Sequence, residues 1–130
     1  MPKNVVLGIG CRKGCETVEE SILAFLKVNG ASVYSLFAVA TVDIKKNEKG
    51  IVEFCEKFDI PLLTFSAETL TAVEGKFTAS EFVKKTVGVD NVCERAVCAV
   101  GAKITEKKTA LNGTALALGR INTEIDFLKG

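Results

Sequence analysis

The sequence predicts an α/β protein: a single three-layer α/β/α domain over residues 1–130, with a mostly parallel sheet and an antiparallel C-terminal hairpin. Three observations predict it. Val5–Ile9 and Ser35–Val42 are short apolar runs without alternation, as expected of strands covered on both faces. Segments with apolar residues at helical spacing stand between the strands, several of them opened by cap signals. Asn112-Gly113, between two strand-like segments, is a strong hairpin turn.

The elements follow in order. Val5–Ile9 is the first strand. Thr17-Val18-Glu19-Glu20 has the pattern of a capping box, and Val18, Ile22, Phe25 and Leu26 then recur on one helical face until Asn29-Gly30. Ser35–Val42 is the second strand, and it runs into a polar loop, Asp43 to Glu48. Ile51, Phe54, Cys55 and Phe58 mark a second helix, ended before Pro61. Leu62–Phe65 is a third strand, and Ser66 is placed to cap a short turn holding Glu68 and Leu70. Thr78-Ala79-Ser80-Glu81 predicts a helix ended by Gly88. Asn91-Val92-Cys93-Glu94 predicts another, ended by Gly101. Lys103–Thr109 and Thr114–Ile121 make the hairpin, and Ala115, Ala117 and Gly119 leave room for a helix to pack close.

Composition narrows the chemistry. The 130 residues are 48% apolar, enough for a substantial core, and a net charge of +1 gives no general attraction to nucleic acid or a bilayer. No run of 18 apolar residues is present, and no basic segment leads into an apolar signal core, so the cytoplasm is the expected location. Five scattered cysteines fit a reducing compartment better than a disulfide framework. The chain has no histidine, which removes Ser-His and Cys-His catalysis and histidine-metal sites. No cofactor and no metal site is expected, and acid–base work falls to carboxylates, lysines, cysteines or Tyr34.

The stretch most suggestive of a site is Gly8-Ile9-Gly10-Cys11-Arg12-Lys13-Gly14-Cys15. Its glycines permit close approach of backbone to a ligand, and Arg12 and Lys13 put two cations beside the N-terminus of the next helix. An anion is the expected ligand. The spacing matches neither a Walker A loop nor the dinucleotide fingerprint. A cysteine phosphatase needs arginine six residues after its nucleophile, where this chain has Thr17. The plain alternative is a tight strand-to-helix turn. Cys11 and Cys15 have a wider spacing than a redox pair, and Cys55, Cys93 and Cys98 read as core residues of apolar helices.

Loops after successive parallel strands emerge on one edge of the sheet. Asp43, Lys45 and Glu48 follow the second strand, and Ser66 and Glu68 follow the third. They join Arg12 and Lys13 as one expected constellation; taken singly, each is a solvated loop charge. Glu94 is explained by capping, and Lys103, Lys107 and Lys108 by protection of an edge strand.

At this point the motifs resemble a family. Gly8-Ile9-Gly10-Cys11-Arg12-Lys13-Gly14 is similar to the signature of the CobE/CbiG C-terminal domain of cobalamin biosynthesis. Ala40-Thr41-Val42-Asp43-Ile44-Lys45 with Glu48, Phe65-Ser66-Ala67-Glu68, Ser80-Glu81-Phe82-Val83, Gly88-Val89, Val92-Cys93-Glu94-Arg95-Ala96 and a lysine-rich hairpin follow in the family's order. The resemblance covers about residues 4–121. It departs at Cys15, where family members usually carry threonine.

The resemblance implies a part in making the corrin ring. The longer family members resemble a hydrolase that opens the lactone of cobalt-precorrin-5A and releases acetaldehyde. It implies a corrinoid intermediate as the small-molecule partner. Their place in the glycine-rich loop and at the strand ends makes Gly8, Gly10, Cys11, Arg12, Lys13, Gly14, Asp43, Lys45 and Ser66 the residues expected to bind it, and, if the domain is catalytic, the lack of histidine leaves Glu48 or Glu68 as the expected base that activates water. A carrier or docking module for other corrin-pathway enzymes is the alternative, and a generic anion- or nucleotide-binding domain a weaker one. A homo-oligomer is left open; nucleic acid and membrane are not expected partners.

Overall fold

The computed structural model describes residues 3–11, 17–43, 48–73, 91–111 and 114–121. Five strands form one sheet: β1 (Val5–Cys11), β2 (Leu36–Val42), β3 (Leu62–Phe65), β4 (Lys103–Leu111) and β5 (Thr114–Arg120). Their order across the sheet is β3-β2-β1-β5-β4. β1, β2 and β3 are parallel, whereas β5 runs antiparallel to both β1 and β4. The expected parallel sheet with an antiparallel C-terminal hairpin is therefore what forms.

Helices cover both faces. α1 (Val18–Val28) and α2 (Lys49–Phe58) are the crossovers from β1 to β2 and from β2 to β3. Both crossovers step in the same direction across the sheet, so a common handedness puts both helices on one face. There Ile22, Phe25 and Leu26 of α1 and Ile51 and Phe54 of α2 pack on Val5, Leu7 and Ile9 of β1. α3 (Ala67–Ala72) and α4 (Val92–Val100) cover the other face, with Leu70, Val92, Cys93, Ala96 and Val97 against Val6, Ala40, Val42 and Ala117. The period of two along β1 thus feeds two cores, and the strand is apolar throughout for that reason.

The helix ends follow from sequence in most cases. α1 stops in a Schellman motif: Gly30 has φ +66, Ala31 N–H donates to Leu26 O at 2.8 Å and Gly30 N–H to Lys27 O at 3.2 Å. Ser66 Oγ accepts from Thr69 N–H, and Asn91 Oδ1 accepts from Glu94 N–H. The Thr17–Glu20 box behaves differently. Thr17 stands at the N-cap with φ −103 and ψ 23, outside the extended region a side-chain cap needs, and makes no side-chain cap bond.

Two further differences are local. The β1–β2 register slips after Val5, which pairs with Leu36 while Val6 pairs with Ala38, so Phe37 stands out of the ladder, 41% exposed. Cys98 is half-buried and not a core residue like Cys55 and Cys93. The helix expected after Thr78 and the Asn112-Gly113 turn lie outside the described residues.

Candidate functional site

The carboxyl ends of β1, β2 and β3 share one edge because the three strands are parallel. α4 also presents its first turn there. Val92 lies beside Gly10, 3.6 Å from where a β-carbon would be, while Val97 lies over Gly8 and Gly119, two to four residues further back along the sheet. β1 is thus the strand at which connections part: its own exit leads to α1 on one face, while α4 begins on the other. Open α/β sheets bind ligands at such places.

Asp43 follows β2 directly, in a partly buried position. Glu48 is the N-cap of α2, with φ −68 and ψ 115, and is also partly buried. Ser66 caps α3, and Glu68 is exposed in the first turn of that helix. These four expected residues therefore stand on the same edge, each at the end of a strand or the start of a helix. Arg12, Lys13, Gly14 and Lys45 lie outside the described residues, as does Cys15. Cys11 is the last residue of β1 and pairs with Thr114.

The two described glycines of the motif part company. Gly10 has ordinary van der Waals space around it. Gly8 lies in the buried middle of β1, and a β-carbon there would overlap the Cys93 carbonyl oxygen. Helix packing takes up Gly8, so of the two it is Gly10 that can face a ligand. Gly119 admits Val97 in the same way, as the run of small residues on β5 predicts.

Hydrogen bonds tie the edge together. Thr41 Oγ1, fully buried, donates to Ile9 O at 2.7 Å and joins β2 to β1 beside the edge. The Arg95 guanidinium of α4 donates to Leu70 O, Thr71 O and Val73 O at 3.1, 3.4 and 3.3 Å, closing the C-terminal end of α3. Glu94, expected to act only as a cap residue, extends across to β4, where its Oε2 accepts the backbone N–H of Lys108 at 2.6 Å. Nothing local in the sequence signals that bond, which spans 14 residues.

The thiols of the helices are not poised for chemistry. Burial pushes Cys93 up from 9.0 to about 12, with the neighbouring Glu94 carboxylate adding to the rise. Burial likewise pushes Cys55 to about 11. Among the described residues no cluster of three or more acidic or cysteine side chains fits a metal ion. Nor is any described helix long and apolar enough to cross a membrane. A shallow cavity of about 260 Å³ lies at the opposite edge, lined by Asn4, Gly30, Ser32, Ser35 and Arg120, and Asp43, Glu48, Ser66 and Glu68 are not among its lining residues.

Comparison with known proteins adds an independent line. The family model described as "Cobalamin synthesis G C-terminus" matches residues 5–119. A protein named probable cobalt-precorrin-5A hydrolase from Methanocaldococcus jannaschii is 36% identical over 110 residues, covering 82% of this chain and 34% of the relative. Cobalt-precorrin-5A hydrolase of Salmonella typhimurium is 37% identical over 94 residues, covering 71% of this chain and 27% of the relative. The chain thus spans about a third or less of the length of these relatives. Among solved structures, CobE, described as a protein of the cobalamin (vitamin B12) biosynthetic pathway, superposes with a TM-score of 0.83 at 25% identity, covering 94% of this chain and 93% of CobE. The cobalamin biosynthesis protein chiG of Agrobacterium tumefaciens superposes with a TM-score of 0.68 at 24% identity, covering 91% of this chain and 98% of that one, a likeness of fold.

Proposed function

The chain belongs to the cobalamin synthesis G C-terminus family, and on that premise we propose that it binds a polycarboxylate corrin precursor at the carboxyl edge of its sheet. The observation that carries the reading is the convergence on that edge of Asp43, Glu48, Ser66, Glu68 and the first turn of α4, beside the exit of β1 toward Arg12 and Lys13. Corrin precursors are apolar macrocycles ringed by carboxylates. Arg12 grips one carboxylate in bidentate fashion, and Lys13 and Lys45 supply point charges for others. Gly10 and Gly14 let backbone N–H groups approach, with Cys11 and Asp43 lining the same mouth and the Ser66 hydroxyl adding a polar contact.

The chemistry we propose is a part in opening the lactone of cobalt-precorrin-5A, with release of acetaldehyde. Water adds to the lactone carbonyl while a carboxylate takes its proton; the acyl C–O bond breaks, and the alkoxide so freed leaves as acetaldehyde when its C–C bond to the macrocycle breaks, the macrocycle keeping the electron pair and regaining a proton. With no histidine in the chain, we assign this base to Glu48 or Glu68, the glutamates of this edge. A second reading, a carrier or docking module that presents the corrinoid to another enzyme, rests on the same convergence of residues at the carboxyl edge and asks no chemistry of Glu48 or Glu68.

One experiment separates the two. Purified protein is mixed with cobalt-precorrin-5A while tetrapyrrole absorbance and acetaldehyde are followed. Acetaldehyde release that is lost in Glu48→Gln or Glu68→Gln supports catalysis. Binding without turnover supports the module. No spectral change, together with thermal stabilisation by a nucleotide, overturns both.

A further inference from the structure

The edge strand β4 breaks its ladder where it passes α4. Glu106 stands opposite Leu118 and Thr109 opposite Leu116, so Lys107 and Lys108 both face Ala117. Two residues against one make a β-bulge, which re-aims a side chain and frees a backbone group from the ladder. The Lys108 N–H is the group that turns away, and Glu94 Oε2 receives it at 2.6 Å. Glu94 is 1% exposed, on the first turn of α4. The buried Glu94 carboxylate holds the bulge through a charge-assisted bond to this backbone amide, stronger than a neutral one.

An edge strand needs lysines only to stay soluble, and Lys103 and Lys107 fit that use, both being exposed. Lys108 does not: it is half-buried. Its ammonium is near enough to the Cys93 thiol to pull that group's pKa down against burial. Cys93 belongs to the same first turn as Val92, which lies against Gly10 at the end of β1. The bulge therefore carries the charge of Lys108 in beside α4. Among the described residues, none of the ion pairs includes its ammonium.

We propose that Lys108 is a further cation of the carboxyl-edge site, set beside the first turn of α4 by the bulge, its backbone held by Glu94 as a positioning residue, and used to take a carboxylate side arm of the corrinoid. This rests on the corrinoid reading above.

The test uses cobyrinic acid, a polycarboxylate corrin, and its neutral methyl ester as paired probes. The wild-type protein should prefer the acid. Lys108→Met should weaken acid binding about tenfold, the size of one charge-assisted hydrogen bond, and leave the ester unchanged. Lys108→Arg should keep the preference, and Glu94→Gln should reduce it. Equal losses for acid and ester would mean a packing role and overturn the proposal. Unchanged acid binding in Lys108→Met overturns it while leaving the corrinoid reading intact. If wild-type protein binds neither probe, the corrinoid reading fails and this proposal falls with it. Lysine acetylation of the wild-type protein gives a measure that needs no variant to fold. Cobyrinic acid should protect Lys108 and leave Lys103 reactive; equal labelling of Lys108 with and without the acid overturns the proposal.

Discussion

The carbonyl oxygen of Cys93 occupies the space a side chain on Gly8 would need. β1 and α4 thus touch backbone to backbone, and the contact seats the first turn of α4 at the carboxyl edge. Gly8→Ala sets a methyl group against a helix carbonyl that cannot move without the helix. It should cost about 3 kcal/mol or more in chemical denaturation. Gly10→Ala meets only ordinary contact with Val92 and should stay within about 1 kcal/mol of wild type. Equal losses at the two positions would refute this account of the packing.

Arg12 tests the binding site from the side of charge. Arg12→Ala should weaken cobyrinic acid binding about tenfold, with Arg12→Lys recovering only part of the loss, since an ammonium lacks the planar fork. Circular dichroism and melting temperature should not change. Unaltered affinity would remove the loop from the site.

Arg95 closes the end of α3 through three carbonyl oxygens, so its loss should be felt locally. In Arg95→Met, amide hydrogen exchange across residues 67–73 should speed up well before exchange in β1 or α1 changes. The loss of global stability should be about 1–2 kcal/mol. Uniform acceleration throughout the sheet would point to a core role instead.

Cys93 makes stability depend on alkaline pH. Its folded-state pKa is raised to about 12 from 9.0, so the folded chain holds this proton more tightly than the unfolded one. The contribution is complete below pH 9 and is lost as pH climbs from 9 toward 12. Denaturation midpoints should fall across that window, less steeply in Cys93→Ala. In native protein at neutral pH, iodoacetamide should reach the half-buried Cys98 long before Cys93.

Sequence patterning revealed most of the fold because the signals are local. Val5–Ile9 and Leu62–Phe65 announce strands by being short and apolar, and Ser66 and Asn91 announce helix starts through side chains that bond three residues ahead. Thr17 carries the same pattern without the same bond, because backbone dihedrals set by the preceding chain decide whether a cap can form. The convergence of Asp43, Glu48, Ser66 and Glu68 was legible once parallel strands were assumed. What stayed hidden was tertiary. The role of Gly8 depends on a helix more than 80 residues away, and Glu94 binds a strand whose bulge no residue pattern announces.

The placing of β5 has a consequence for how the molecule comes together. In the described sheet it lies between β1 and β4, so residues 5–11 wait for residues 114–120 before their second neighbour exists. A chain emerging from the ribosome can assemble β1, α1, β2, α2 and β3 early, all from contacts close in sequence. The flank of β1 then stays open, an unpaired edge exposed to intermolecular pairing. Truncation before Thr114 should leave that edge unsealed permanently and β4 without a strand to pair with. Insoluble product is the expected outcome of such a truncation, even though every residue assigned to the carboxyl-edge site would be present in it.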